Sequence, residues 1–294
     1  MENTKIEWAH HTFNPWIGCA KVSDGCRFCY AEAFARRYNK AEWGPAAQRI
    51  RTSDAYWRKP LSWNRKAKQE GRRYRVFCAS LADVFEDKAE LDTWRHDLFL
   101  IIEQTQSLDW LLLTKRPENV ATIIERHVPQ GIANYFDLNP HVWIGASIEN
   151  QEQANKRIPH LLEIPARVRF LSMEPLLDPV DLTPWVNSCP SCGAHRKDSL
   201  PNISCGYCEE QPRVRGLQWV IVGGESGAKA RPMRESWVRS ILNQCQVSAT
   251  PFFFKQWGEW APTDHSPTVT DVMNRVGKTA AGRQLNGRTW DETP

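Results

Sequence analysis

Cys19, Cys26 and Cys29 lie in IGCAKVSDGCRFCYAEAFARR, with six and then two residues between them, where a polar, Gly-containing loop runs into a helix-forming stretch. Three thiolates converging there can hold three irons of a [4Fe–4S] cluster and leave the fourth iron with an open coordination position. The same thiols can instead bind zinc, with His10 or His11 as fourth ligand. A second set, Cys189, Cys192, Cys205 and Cys208, is spaced C-x2-C-x12-C-x2-C. Paired knuckles of that kind place four thiolates around one tetrahedral ion, and a closed, redox-inert Zn2+ site of structural type is expected there.

The chain has nine cysteines, and seven fall in these two clusters, which favours metal binding over a disulfide framework; Cys78 and Cys245 are left over. At 294 residues and 41% hydrophobic content the chain can bury a sizeable core. Its net charge of +4, from 38 basic and 34 acidic residues, permits a phosphate-bearing substrate without establishing one. No apolar run approaches the roughly 20 residues of a membrane span, and MENTKIEWAHH lacks the basic-then-apolar pattern of a signal peptide. The expected compartment is the cytoplasm, with no membrane partner.

The elements that must position the thiols form a βα series. RVFCAS, DWLLLTKRP, HVWIGASIE, RVRFLSMEP and QWVIVGGES read as strands ending in polar or Gly residues. DKAELDTWRHDLFLIIEQTQ carries Leu91, Trp94, Leu98, Ile101 and Ile102 at helical spacing, with Asp87 as the expected N-cap. NVATIIERH, QEQANKRIPHLLEI and RESWVRSILNQC read as later crossover helices, the second interrupted at Pro159. Continuous apolar strands imply a parallel sheet buried on both faces, as an open doubly wound sheet or a barrel. A full or partial TIM-type (β/α) barrel is the favoured α/β fold, with its site at the C-terminal ends of the strands. The polar residues there are Ser80 and Asp83, Thr114 and Lys115, Ser147 and Glu149, Ser172 and Glu174, and Gly223 to Ser226.

Residues 1–260 are assigned to the barrel, residues 183–216 to a zinc-ribbon-like insertion within it, and residues 261–294 to a polar, loosely ordered tail. Residues 38–73 form an irregular helical excursion in which Trp43, Trp57 and Trp63 lie among many basic residues. Such mixing suits base stacking and phosphate contact, or else a solvated basic face whose tryptophans anchor the excursion.

NPWIGCAKVSDGCRFCYAE, LLLTKRP, FLSMEPLL, VIVGGESG and FFFKQWG together resemble the phage Gp37/Gp68-type (DUF5131-like) family of three-cysteine proteins, which are similar to radical S-adenosylmethionine (SAM) enzymes. Phe28 fills the aromatic position before the third cysteine, while the first gap is six residues where those enzymes usually have three. The resemblance implies a [4Fe–4S] cluster on Cys19, Cys26 and Cys29, SAM chelated by the open iron, a 5′-deoxyadenosyl radical, and an electron donor of flavodoxin or ferredoxin type. The strand ends supply residue types for SAM: Lys115 for the carboxylate, Ser80 and Ser147 for the carboxylate or ribose, and Glu149 for the ribose hydroxyls. Glu174 is a further strand-end candidate, and Gly223 and Gly224 permit close backbone approach to the adenine or make a tight turn. Cys78-Ala79-Ser80 resembles the Cys-x-Ser of spore photoproduct lyase, which implies a hydrogen-atom donor at Cys78; the other reading is a buried core cysteine.

Two function classes follow. One is a radical SAM-like enzyme with an unidentified substrate, nucleic acid or nucleotide among them. The other is a non-catalytic adaptor holding zinc at both clusters and binding nucleic acid or a partner protein. The chain has no H-E-x-x-H, no G-x-S-x-G elbow and no P-loop GK[ST], so zincin, hydrolase and NTPase readings have no motif behind them.

Overall fold

The computed structural model describes residues 1–128, 130–186, 216–263 and 271–294. It is a mixed α/β structure in two compact units. Met1–Ala146 with Glu163–Arg167 make the first, and Ser147–Leu162 with Val168–Pro294 make the second.

The first unit carries β1 (His11–Thr12), β2 (Trp16–Ile17), α1 (Tyr30–Arg37), β3 (Ile50–Arg51), α2 (Asp54–Trp57), α3 (Lys59–Gln69), β4 (Tyr74–Cys78), α4 (Asp92–Gln104), β5 (Leu108–Thr114), α5 (Val120–His127), α6 (Gly131–Leu138) and all of β6 (Val142–Ser147) but its last residue. Strands β1, β4, β5 and β6 pair in that order, all parallel, with Phe77 opposite Leu111 and Leu111 opposite Trp143. The second unit contains α7 (Gln151–Glu163), β7 (Arg169–Met173), β8 (Trp219–Gly223), α8 (Glu235–Val247), β9 (Phe252–Gln256), β10 (Trp260–Pro262), β11 (Met273–Arg275) and α9 (Lys278–Ala281). Here β7, β8 and β9 pair in parallel, again in chain order. Seven parallel strands therefore run without a reversal of order inside either unit, an arrangement compatible with a partial barrel and without the switch point of a doubly wound sheet.

All five expected strands are present, because each is a run of apolar residues that only a sheet covered on both faces can bury; β7 and β8 are buried at every position. Two strands go beyond the expectation. β1 has only two residues, too few for any period, and β9 is the FFFKQ stretch. On α4 the apolar stripe buries Leu91, Leu98 and Ile102, and Phe99 joins them. Each such side chain removed from water contributes about 1.5–3 kcal/mol. Asp87 does not cap α4: a 3-10 turn over Ala89–Leu91 precedes the helix, and Asp87 pairs with Arg126 at 3.0 Å. Nor does Pro159 interrupt α7. It lies on the exposed face, as does Asn155 one turn back, so the carbonyl left without an amide partner faces solvent.

The excursion 38–73 is more regular than expected and contains β3, α2 and α3. Trp57 and Trp63 are buried at 4% and 1% exposure, Trp57 edge-on to Phe13 and Trp63 stacked on His11. They anchor the excursion, and the base-stacking reading of these two is corrected. Within the tail, residues 271–294 are likewise packed rather than loose. Phe254 donates its amide to the Trp290 carbonyl, the Trp219 indole N–H donates to the Glu292 carbonyl, and Trp290 and Leu285 are buried. Of the insertion, residues 187–215, with Cys189, Cys192, Cys205 and Cys208, lie outside the described residues.

The ends of β8 and β9 meet backbone to backbone. A Cβ on Gly224 would come 1.9 Å from the Trp257 carbonyl oxygen, and one on Gly258, at φ +84°, would come 2.3 Å from the Glu225 carbonyl oxygen. VIVGGESG and FFFKQWG are thus two halves of one junction. Gly224→Ala has only backbone to push against, so it is expected to lower the unfolding free energy by about 1–3 kcal/mol or more, read as a fall in the urea midpoint. A midpoint equal to wild type would show that the junction is not tight.

Candidate functional site

The loop bearing Cys19, Cys26 and Cys29 is laid across the C-terminal ends of β4 and β5. Five hydrogen bonds hold it there. Asn14 Oδ1 accepts from the Ser80 and Leu81 amides at 2.7 and 2.9 Å, just past β4. The Gly18 amide donates to the Leu81 carbonyl at 3.0 Å, and the Tyr30 hydroxyl donates to the Ser80 carbonyl at 2.7 Å. From the end of β5, Arg116 donates to the Ala20 carbonyl at 2.9 Å and places Nη1 3.8 Å from the Cys19 sulfur.

Arg116 is itself fixed by acids on the loop after β4. Asp83 Oδ2 accepts from Arg116 Nη1 at 2.8 Å and from the Lys115 amide at 3.0 Å, while Oδ1 accepts from the Thr114 hydroxyl at 2.7 Å and the Phe85 amide at 3.0 Å. Glu86 lies 3.8 Å from Arg116 and is bound by both Nε and Nη2 of Arg49, at 2.8 and 2.6 Å. Arg49 also donates to the Gly44 and Ala47 carbonyls, and its side chain fills the space a Cβ on Gly18 would need. Gly18, at φ +118°, therefore serves both turn and packing. Buried Arg95 secures the same acidic loop from α4, donating to the carbonyls of Val84, Glu86 and Lys88.

The electrostatics follow. Burial works against the charge on Arg116, but Asp83, Cys19 and Glu86 outweigh it and hold the guanidinium above its ordinary value. Burial, reinforced by Asp83, pushes the Cys19 thiol up to about 12 in spite of Arg116. Cys29 precedes α1; burial raises its thiol too, opposed by the Glu32 and Ala31 amides and by Lys115. Cys26 sits 3.9 Å from the Ser23 hydroxyl. All three cysteines are free and half-buried. Among the described residues no three His, Cys, Asp or Glu side chains form a metal-ready group. The donor chemistry nonetheless suits an anionic thiolate cluster: three thiols on one loop, with a guanidinium at one, amide N–H groups at another, and Lys115 close by.

His10 and His11 are not with these thiols. The His10 Nδ1 accepts from the Arg75 amide at 2.8 Å, and His11 pairs with Val76 and stacks on Trp63, so both belong to the opposite half of β4. Ser80 is beside the cysteine loop, its hydroxyl bonded to Asn14. The Lys115 ammonium has no hydrogen bond or ion pair among the described residues. Cys78 is fully buried at the end of β4, and burial pushes its thiol up, the behaviour of a small apolar core residue.

In the second unit the expected residues form separate groups. Ser147 and Glu149 are buried, and Arg157 Nη1 binds the Ser147 carbonyl at 2.8 Å and the Glu149 carboxylate at 2.7 Å. Glu174 accepts from Lys255 at 2.8 and 2.9 Å and from Gln256 at 3.0 Å, beside Gly223. Gln256 also donates to Ser226 at 3.2 Å, at the ends of β8 and β9. Glu225 is gripped by Arg231 through both oxygens. The side of Gly224 where a Cβ would stand faces the Trp257 carbonyl. Reasoning from sequence missed Asn14, Arg49, Glu86 and Arg116, although NPWIGC and LLLTKRP contain the first and last of these.

Parallel strands followed by helices, with a cysteine loop across two strand ends, define a mixed α/β protein compatible with a partial barrel. The model of the family described as Protein of unknown function (DUF5131) matches residues 3–294, and the chain belongs to that family. No curated protein and no solved structure matches it.

Arg116→Ala leaves Asp83 buried without its cation and is expected to cost about 3–5 kcal/mol in urea unfolding; a loss below about 1 kcal/mol would remove Arg116 as the anchor of the loop. His11 makes a second prediction. Burial holds its folded value down at about 4, so as the pH falls below about 6.5 the unfolded chain takes up the proton first. His11's contribution is fully present above that pH and is lost on descent to 4. His11→Gln should remove part of the acid loss, on the order of 1–3 kcal/mol, and the check is the urea midpoint at pH 7 and pH 4.5 for both proteins.

Proposed function

We propose that the chain is a radical SAM-type enzyme in which Cys19, Cys26 and Cys29 hold a [4Fe–4S] cluster. When bound, such a cluster offers one open iron to the amino and carboxylate groups of SAM and the electron that cleaves SAM to a 5′-deoxyadenosyl radical. The observation that carries the reading is the seating of the cysteine loop over the ends of β4 and β5, where parallel α/β folds of this type place their chemistry, with Arg116 reaching both Cys19 and Ala20.

The chain's own residues divide the remaining work. Asn14, Gly18 and Tyr30 fix the loop, and Asp83 aims Arg116 at Cys19. Lys115, a half-buried cation beside Cys29, suits a carboxylate such as that of SAM. Ser80, its hydroxyl bonded to Asn14, is a second polar group beside the cysteine loop. Glu149 is held by Arg157 through one carboxylate oxygen, and Gly224 packs against the Trp257 carbonyl. Glu174, with Lys255, Gln256 and Ser226, is a polar group at the strand ends of the second unit suited to a polar substrate. Cys78 remains the assigned hydrogen-atom donor, the electron a low-potential flavodoxin- or ferredoxin-like protein's to give, and Cys189, Cys192, Cys205 and Cys208 a structural zinc site on spacing alone. Such thiol chemistry belongs in a reducing compartment such as the cytoplasm.

Anaerobic reconstitution with iron and sulfide tests this. Wild type should gain absorbance near about 400 nm and about four irons per chain, and release 5′-deoxyadenosine from SAM under dithionite. Cys26→Ala should lose most of the iron and all of the release. A colourless protein holding only zinc would establish the adaptor instead.

A further inference from the structure

Helix α1, which begins one residue after Cys29, is built inside out. Its inward positions are Ala31 and Ala35, with the Glu32 carboxylate, while its large rings point to solvent: Tyr30 is 57% exposed, Phe34 40% and Tyr38 54%. An ordinary surface helix does the reverse, burying its large apolar residues and exposing small or polar ones. Exposed rings in a row at i, i+4 and i+8 leave apolar surface in water, although the Tyr30 hydroxyl also serves the fold at the Ser80 carbonyl.

The charge around the rings has one sign. Residues 21–40 contain five basic residues, Lys21, Arg27, Arg36, Arg37 and Lys40, against two acidic ones, Asp24 and Glu32. Glu32 is neutralised by Lys21 at 2.7 Å and Arg36 at 2.6 Å. Arg27 and Arg37 lie instead over aromatic faces, at 5.3 Å from the Phe28 ring and 5.8 Å from the Tyr38 ring, with Phe34 and Tyr38 in contact at 4.8 Å. Stacking faces and cations interleaved on one row are what a flexible polyanion with flat bases requires.

We infer that the outer face of α1, Tyr30–Phe34–Tyr38 with Arg27, Arg37 and Lys40, is a binding platform for single-stranded nucleic acid. Because Tyr30 also touches the Ser80 carbonyl beside the cysteine loop, a strand lying along α1 is led to the candidate site. In that respect the inference rests on the proposed function and names the class of its substrate: a single-stranded or unpaired stretch of nucleic acid. It also moves the nucleic-acid contact away from Trp57 and Trp63, which are buried.

The test is fluorescence anisotropy with the full chain as isolated, using a labelled 15-mer of dT, a labelled 15-mer of U, and a mixed-sequence duplex of equal length. One or both single strands should bind with a Kd of about 10⁻⁴ M or tighter at physiological salt, weakening as salt rises, and the duplex should bind less tightly. Phe34→Ala and Tyr38→Ala should each weaken binding roughly 5- to 150-fold, and Phe34→Leu, which keeps the apolar bulk but not the ring, should weaken it as well. Arg37→Gln should flatten the dependence of log Kd on log salt by about 0.7. Both rings are exposed, so thermal unfolding should be unchanged in all four variants. No binding of either strand, equal binding of the duplex, or ring variants that bind like wild type would overturn the platform, as would capture by α1 of an acidic protein in place of the strand. Binding is read without SAM or turnover, so this outcome is independent of whether iron and 5′-deoxyadenosine are found.

Discussion

The Asp83–Arg116 pair is the constraint on which the first unit's site depends. Asp83 lies on the loop after β4, Arg116 follows β5, and their 2.8 Å contact ties the ends of two neighbouring parallel strands. Each partner also does something the other cannot. Asp83 accepts the Thr114 hydroxyl and the Lys115 amide, shaping the turn out of β5, and Arg116 reaches over to the cysteine loop. Burial makes such a pair costly to leave half-made, since a buried charge without its partner is far less stable than the pair. Glu86 and Arg49 extend the same logic one step outward, tying residues 44–49 to the acidic loop.

The cysteine loop therefore has little freedom in where it lies and more in how its thiols are disposed. It is held at Asn14, Gly18, Ala20 and Tyr30, whereas the thiols are half-buried and Cys26 lies near the Ser23 hydroxyl and Cys29. A site of this kind is fixed in position by protein contacts and left adjustable at the sulfurs. The neighbouring charges differ between the thiols: Lys115 and the first amides of α1 favour an anion at Cys29, whereas at Cys19 Asp83 and Glu86 oppose Arg116.

Much of this was legible in the chain, and the boundary is physical. Continuous apolar runs gave β4 to β8, because burial on both faces leaves only one reading of such runs. The cysteine spacing is local and so survives in sequence. Arg116 and Asn14 are not recoverable in that way: their partners are tens of residues distant, and only folding makes an Arg next to Lys115 the one that meets Cys19. Nor does the sequence show the intramolecular contacts of Glu149 and Gly224, which meet Arg157 and the Trp257 carbonyl. The tail after Trp260 is polar in composition, yet a few apolar residues, Leu285 and Trp290 among them, suffice to seat it on the end of the second unit.

The span between Cys19 and Arg116 has a consequence for how the protein is made. They stand 97 residues apart, so the thiols leave the ribosome well before the cation that faces them has been synthesised. Until β4 and β5 are paired, neither Leu81 nor Arg116 is in place to receive the loop, and the cysteines travel as an open, reactive segment. Assembly of the thiol site is thus a late event in the biogenesis of an early piece of chain.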